Sequence, residues 1–299
     1  MKIVIAGGSG FIGQKLTNFL IEKGHEIVIL TRTAQKPLQN VTYVKWLSEG
    51  SSPEKEISHA DVFINFAGVS INKGRWDKKH QKQIYESRMR ATKELIRIIR
   101  ELDERPGVLI NASAIGIYPA SNQAVYTENS DEIADDFLGR TVHDWEKQAK
   151  QAEAAGLRAV FLRFGVVLGV EGGALPLMVL PYKLFAGGTV GTGEQWVSWV
   201  HVDDVIRVIL FAIENQQIHG PVNVTAPAPV RMADFGKTIG SVLHRPHWLP
   251  VPSFAMKCVL GEKSALVLEG QHVVPEILRR EGFQFTFPVL RQALEDLLL

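Results

Sequence analysis

The chain has 299 residues, 45% of them hydrophobic, with 33 Lys plus Arg against 32 Asp plus Glu and a single cysteine. That is enough for one large domain or two closely packed ones with a real core. The balanced charge offers no field to nucleic acid or an anionic membrane, and a lone Cys258 cannot close an internal disulfide, which fits a reducing cytoplasm.

The apolar run that opens the chain stops at its first glycines, too short for a signal sequence or a membrane span, and no later run is long enough to cross a bilayer. A soluble cytoplasmic protein is expected. Short apolar runs then alternate with amphipathic ones. "KIVIA" at 2–6, "HEIVIL" at 25–30, "DVFINFAG" at 61–68, "GVLINAS" at 107–113 and "RAVFLRFG" at 158–165 read as buried parallel strands. Helical patterns cover roughly 11–23, 76–101 and 136–155. This alternation predicts an α/β fold, a Rossmann-type doubly wound parallel sheet over residues 1–165.

Beyond about residue 165, glycine and proline cluster in "GVEGGALP", "AGGTVGTGEQ" and "TAPAPV". Pro275 is placed as the first residue of a helix and Gly282 as its stop, and an amphipathic helix closes the chain at about 288–298. Residues 166–299 therefore read as a smaller mixed lobe that caps the sheet and binds substrate, with the chain free to cross between lobes. The glycines at 187–193 are turn residues first.

The turn "IAGGSGFIGQKL" places Gly7, Gly10 and Gly13 directly after a strand and at the mouth of a helix. The first glycine permits the tight turn, the second lets backbone approach a pyrophosphate, and the third brings helix close to sheet. Ser9, Phe11 and Ile12 belong to the same turn. At the end of the second strand an NAD site would carry an acidic residue, whereas this chain has Thr31 and Arg32; a guanidinium suits the extra phosphate of NADP(H). Lys36 could assist. Asn65 with Phe66, Ala67 and Gly68 ends the fourth strand where backbone can approach a ribose.

These motifs, with "SAIGIYP" (113–119), "FLRFGVVLG" (161–169) and "WVSWVHVDDV" (196–205), resemble the extended short-chain dehydrogenase/reductase superfamily of nucleotide-sugar epimerases and dehydratases. The resemblance is closer to an atypical branch, the uncharacterised "epimerase family" proteins with a C-terminal domain of unknown function. It rests on "SAIGIYP", Trp145-Glu146, "RFGVVLG", "SWVHVDD", "NVTAPAPV" and "VVPEILRREGFQF".

The resemblance implies a Tyr and a Lys four residues apart early on the helix at 136–155. Those positions fall near Phe137 or Leu138 and near Thr141 or Val142, and the associated Ser or Thr falls on Ala114. The usual proton-transfer set is absent. Three replacements are open: Ser113 to polarise a carbonyl or touch the cofactor, Tyr118 to face the nicotinamide or line the pocket, and Glu146 to reach inward or pair at the surface with Lys150. His143 and Asp144 are sequence neighbours whose side chains diverge on a helix, so they form no dyad. Arg88 takes the place of a superfamily asparagine and reads as a cofactor or substrate-anion contact, or as an exposed helical arginine.

In nucleotide-sugar enzymes an Arg-Asp pair meets the substrate diphosphate; here Val197 and Ser198 stand there. His201 and Asp204 read as structural and capping groups with no metal. Trp196, Trp199 and Trp248 could line an apolar cleft, with core packing as the default. The expectation is an NADP(H)-dependent oxidoreductase or epimerase-like enzyme on an unidentified small molecule. The alternatives are a non-catalytic NADP(H) sensor or interaction protein, and a nucleotide-sugar epimerase. By analogy, the helices at 76–101 and 136–155 could pair in a homodimer.

Overall fold

The computed structural model describes residues 1–33, 36, 40–72, 74 and 76–299. Its strands are β1 (Lys2–Ala6), β2 (Glu26–Thr31), β3 (Val41–Lys45), β4 (Val62–Asn65), β5 (Val108–Ala114), β6 (Val125–Tyr126) and β7 (Arg158–Phe164). There follow β8 (Val166–Leu168), β9 (Trp196–Val197), β10 (Trp199–His201), β11 (Gly220–Val224), β12 (Val230–Arg231) and β13 (His272–Val273). The helices of the first half are α1 (Phe11–Glu22), α2 (Pro53–Glu56), α3 (Lys78–Glu101) and α4 (Phe137–Ala149). Those of the second half are α5 (Leu175–Lys183), α6 (Val202–Glu214), α7 (Met232–Val242), α8 (Ser253–Leu260), α9 (Ala265–Leu268), α10 (Glu276–Arg280) and α11 (Leu290–Leu298).

Seven strands form one sheet in the order β11-β7-β5-β4-β1-β2-β3, and every pair is parallel. Two strands of it lie outside the expected set. β3 alternates buried and exposed residues at one edge, and β11 joins the other edge beside β7. The sheet thus takes a strand from beyond residue 165, and the chain crosses back from its C-terminal half. Pro221 is accommodated because an edge strand needs no second row of hydrogen bonds.

Apolar side chains cover both faces, as a parallel sheet requires. Leu16 and Leu20 of α1 and Val205, Ile209 and Ala212 of α6 pack on one face with Ile3, Ile5 and Ile110. Ala91, Leu95 and Ile99 of α3 pack on the other with Val4, Phe63 and Leu109. Asp77 caps α3 by accepting from His80 N–H, and Asp136 caps α4 by accepting from Gly139 N–H at 2.7 Å. The helical pattern expected to reach 155 tightens into a 3-10 turn at Lys150–Ala155. Pro275 is one place earlier than expected, at the N-cap of α10, while Gly282 at φ +80° ends it.

The C-terminal part is held by the small pairs β8·β10, β9·β12 and β6·β13. Its own core joins Val179, Trp199, Phe235, Ile239 and Leu294. Among the described residues no helix is long and apolar enough to cross a membrane.

Candidate functional site

The strand order reverses between β1 and β4, so the loops leaving these two strands part and open a crevice at their carboxyl ends. Gly7 follows β1 at φ +86°, and a Cβ there would sit 2.7 Å from the Phe66 carbonyl carbon. The backbones of the two loops therefore touch at the switch point. A Cβ on Gly13 would overlap the Gly7 carbonyl oxygen, so α1 can seat this close only with glycine there. Gly10 is the N-cap of α1 and no side chain caps the helix. Its first amides and the positive end of its dipole are left for an anion.

Phe11 walls this turn, and its ring lies against Gly169 and Gly172, where side chains would collide with it. That contact explains the glycines of the loop after β8. Ser9 is exposed, and Ile12 is half-buried and packs on the core of the sheet. Thr31 Oγ1 donates to Thr33 O at 3.0 Å and so shapes the end of β2. Arg32 is exposed there, and no carboxylate pairs with it among the described residues; Lys36 is also exposed.

At the end of β4, Asn65 is fully buried and donates to Thr92 Oγ1 at 2.9 Å and Asn111 Oδ1 at 2.7 Å, while its Oδ1 accepts from Ala67 N–H. Trp145 Nε1 also donates to Thr92. The Phe66–Gly68 loop is thereby fixed from below by two helices and a strand. Arg88 lies against Gly68, donates to Val69 O and Ile84 O, and stacks over Trp145 at 5.0 Å. No carboxylate among the described residues meets it, and burial pushes it down to about 10. It is not the exposed helical arginine of the alternative reading. It is a cation held at the crevice with donors to spare.

Ser113, at the carboxyl end of β5, is brought together with Tyr118 and Glu146. Ser113 Oγ donates to Glu146 Oε1 at 2.5 Å, and Arg163 grips the same carboxylate through Nε and Nη2. Arg163 Nη1 donates to the Tyr118 hydroxyl at 2.7 Å, and that hydroxyl lies 2.9 Å from both Thr127 O and Asn223 Oδ1. Burial alone would lower Arg163, but the Glu146 hydrogen bonds outweigh it and hold the guanidinium above its ordinary value. Tyr118 is 1% exposed, and burial raises its phenol despite Arg163. Arg163 thus links all three candidates in one buried hydrogen-bonded cluster. This corrects the surface pair of Glu146 with Lys150. Arg163, in "FLRFG", was missed; its partner lies 17 residues earlier in the chain and carries no local signal.

The places of the expected Tyr and Lys hold no ionisable group. Val142 is buried with Ile115, Ile117 and Tyr118, Leu138 lies near Gly116, and Phe137 meets the edge of Trp76 at 5.9 Å. Thr141 Oγ1 donates back to Phe137 O. His143 is exposed, while Asp144 accepts from Tyr85.

On the C-terminal side, Ser198 Oγ donates to Gln271 O and accepts from Val273 N–H, so it is a seam between strands. His201 Nδ1 accepts from Asp203 N–H at the start of α6, which puts the proton on Nε2 facing Asp296 at 3.2 Å. Asp204 accepts from Thr286 N–H and Phe287 N–H. Although His201, Asp203 and Asp296 bring ligand-type atoms within 4.8 Å, Lys15 already pairs with Asp203 at 2.6 Å. Trp199 is core, but Trp196 is half-buried against His272 and Trp248 is 65% exposed, which corrects the core reading of the latter two.

Comparison with known proteins gives a consistent result. Residues 3–225 match the NAD dependent epimerase/dehydratase family, and residues 251–297 match a domain of unknown function, DUF1731. The chain is 52% identical over 299 residues to the epimerase family protein YfhF of Bacillus subtilis, covering 100% of this chain and 98% of that one. It is similar to the crystal structure of the human epimerase family protein SDR39U1 with NADPH, at 32% identity, TM-score 0.88 and 99% of each chain. It is also similar to the nucleoside-diphosphate sugar epimerase from Corynebacterium glutamicum, at 31% identity and TM-score 0.80, covering 100% of this chain and 58% of that one. A dinucleotide crevice in a seven-stranded sheet and a matched stretch from β1 to the end of β11 agree: the chain belongs to the NAD dependent epimerase/dehydratase family.

Proposed function

We propose that this protein is an NADP(H)-dependent oxidoreductase or epimerase-like enzyme acting on a small molecule in the crevice at the carboxyl ends of β1, β4 and β5. The observation that carries the reading is the cradle at Gly7–Gly13. A side chain at Gly7 or Gly13 would fill it, and the amino end of α1 is left without a cap. Ser9, Gly10, Phe11, Ile12 and Gly13 would hold the pyrophosphate, and Phe66, Ala67 and Gly68 would meet the ribose edge. Thr31 and Arg32 would meet the 2′-phosphate, and Arg88 would supply a further cation. The NADPH-containing human relative supports the preference for the phosphorylated coenzyme.

When bound, such a coenzyme supplies hydride chemistry. The chain's own residues position and exclude. Asn65, Thr92 and Trp145 fix the loop after β4, Glu146 and Arg163 fix the end of β5, and beside it Leu138 lies near Gly116 while Val142 packs with Ile115 and Ile117. The proton would pass through a group on the substrate, water or an unconventional residue, for which Ser113, Tyr118 and Glu146 are the candidates. The apolar pair Leu138 and Val142 favours a second reading, an NADP(H)-binding sensor without turnover. A nucleotide sugar is disfavoured because Ser198 is spent on backbone partners. Pairing of two chains through α3 and α4 stays a proposal; none of the exposed large apolar side chains lies on either helix.

The test is calorimetry of the pure, coenzyme-free protein with NADPH and NADH, followed by NADPH oxidation with a panel of carbonyls. Micromolar binding of NADPH with turnover supports the enzyme, and binding without turnover of any compound selects the sensor. The absence of heat with either coenzyme overturns both.

A further inference from the structure

The even charge of the whole chain hides an uneven distribution. No Asp or Glu occurs between Glu171 and Glu194, or between Asp234 and Glu262, although the chain carries 32 of them in 299 residues. The same two stretches hold Lys183, Lys237, Arg245 and Lys257. They meet in space at the end of α5. Trp248 N–H and Leu249 N–H donate to Gly187 O, Trp248 Nε1 donates to Phe185 O at 3.0 Å, and the Arg245 guanidinium lies over the Phe185 ring at 4.6 Å. From behind, His247 is hydrogen-bonded to the Tyr182 hydroxyl at 2.8 Å and to Thr189 Oγ1 at 3.0 Å, so the segment is fixed to the C-terminal part.

What this junction presents outward is apolar. Leu184 and Trp248 are 68% and 65% exposed, and Phe185 and Leu249 beside them are exposed as well. Leu177 and Leu180 are also exposed, and their spacing to Leu184 puts all three on one face of α5. Phe185 holds φ at +59°, a left-handed conformation that costs a bulky residue free energy. The fold thus accepts strain at a residue whose large ring stands in solvent. An apolar surface of this kind marks a binding region. Lys183 and Arg245 stand exposed at its edge, and no carboxylate pairs with either among the described residues.

We propose that the end of α5 and residues 245–249 form a peripheral docking surface for an anionic phospholipid bilayer. Leu184, Phe185, Trp248 and Leu249 enter the boundary between headgroups and acyl chains, while Lys183 and Arg245 meet lipid phosphates. Trp248 suits that depth, because its N–H is already satisfied by Phe185 O and the ring carries no unpaired donor into the apolar layer. The lack of carboxylates in both stretches matters equally, since each would be repelled by the headgroups and costly to desolvate. A second copy fits less well, because a two-fold contact sets the basic edge against itself. Docking of this kind needs no spanning helix, and none is found among the described residues. It is independent of the coenzyme reading.

The experiment floats the full chain with vesicles of phosphatidylcholine alone, and of phosphatidylcholine mixed equally with phosphatidylglycerol, at low and high salt. We expect binding to the anionic vesicles at least about tenfold tighter than to the neutral ones, weakening as salt rises. Trp248→Ser should weaken it about tenfold, and Lys183→Glu combined with Arg245→Glu about tenfold or more. Melting temperatures should stay unchanged, because all three side chains are exposed. Binding to neither vesicle overturns the proposal, as does equal binding to both or full binding by the variants. Self-association that is lost in Trp248→Ser, without vesicle binding, assigns the surface to a second copy and overturns it. Binding to polyglutamate but not to vesicles assigns the surface to an acidic protein and overturns it too.

Discussion

The Glu146 carboxylate and the Arg163 guanidinium meet as two forks, Nε to Oε1 and Nη2 to Oε2, each at 2.8 Å, with 12% and 9% of the two side chains exposed. Ser113 and Tyr118 complete the pair's remaining hydrogen bonds. A buried pair of this geometry is costly to break from one side, because the survivor is a charge out of water.

Glu146→Gln is therefore expected to lose about 3–5 kcal/mol of stability. Tyr118→Phe, which leaves Arg163 Nη1 and Asn223 Oδ1 without a partner, is expected to lose about 1–3 kcal/mol. Urea unfolding monitored by tryptophan fluorescence reads both. If Glu146→Gln or Tyr118→Phe instead keeps full stability and abolishes turnover, the cluster is chemical rather than structural.

Gly13→Ala should weaken NADPH binding by about a hundredfold or more, which is about 2.8 kcal/mol at 1.4 kcal/mol per tenfold. The added methyl overlaps the Gly7 carbonyl oxygen, so α1 must move away from the turn. Calorimetry alongside circular dichroism checks this. Unchanged affinity would mean that the coenzyme does not rest on the amino end of α1.

Arg32→Asp should reverse the coenzyme preference. A carboxylate repels a 2′-phosphate and accepts from a 2′-hydroxyl, so NADPH should lose about tenfold or more while NADH changes by about threefold or less. Equal losses for the two would refute the role assigned to Arg32.

Stability should fall in mild acid through His201. Burial holds this imidazole below its ordinary value of 6.5, against the pull of Asp203 and Asp296. Between the two values the unfolded chain binds more protons, so stability rises with pH there. The contribution is complete above about 6.5 and is lost as pH falls through the folded value. Protonation at Nδ1 removes the acceptor that caps α6, worth about 1 kcal/mol. Melting temperatures at about pH 7.5 and pH 5, compared between the parent and His201→Asn, test it; the variant should show the smaller drop.

How much of this was legible along the chain depended on whether the cause was local. Glycines at fixed spacing after a strand, apolar runs of strand length, and Asp before a helix are each short-range signals. Their elements appeared in place: β1, β2, β4, β5 and β7, the glycine turn before α1, and the family itself. β3 and β11 gave too little signal, since one is a short half-exposed edge and the other contains Pro221 and pairs with a strand some 60 residues earlier.

What tertiary structure alone decided was the direction and partner of single polar side chains. Helical periodicity puts Glu146 on a face but does not name Arg163 as its neighbour, and nothing near Tyr118 announces Thr127 and Asn223. The exposure of Trp248, Phe254 and Val259 was equally invisible. Apolar composition favours burial on average, while the surface that would bury these residues lies on another part of the chain or on a ligand. Sequence determined the fold and the glycine turn before α1 because those follow from backbone sterics and periodic burial. Only the assembled molecule could show that the three proton-transfer candidates meet in one cluster with Arg163, since a buried charge must be answered by whatever group the fold brings beside it.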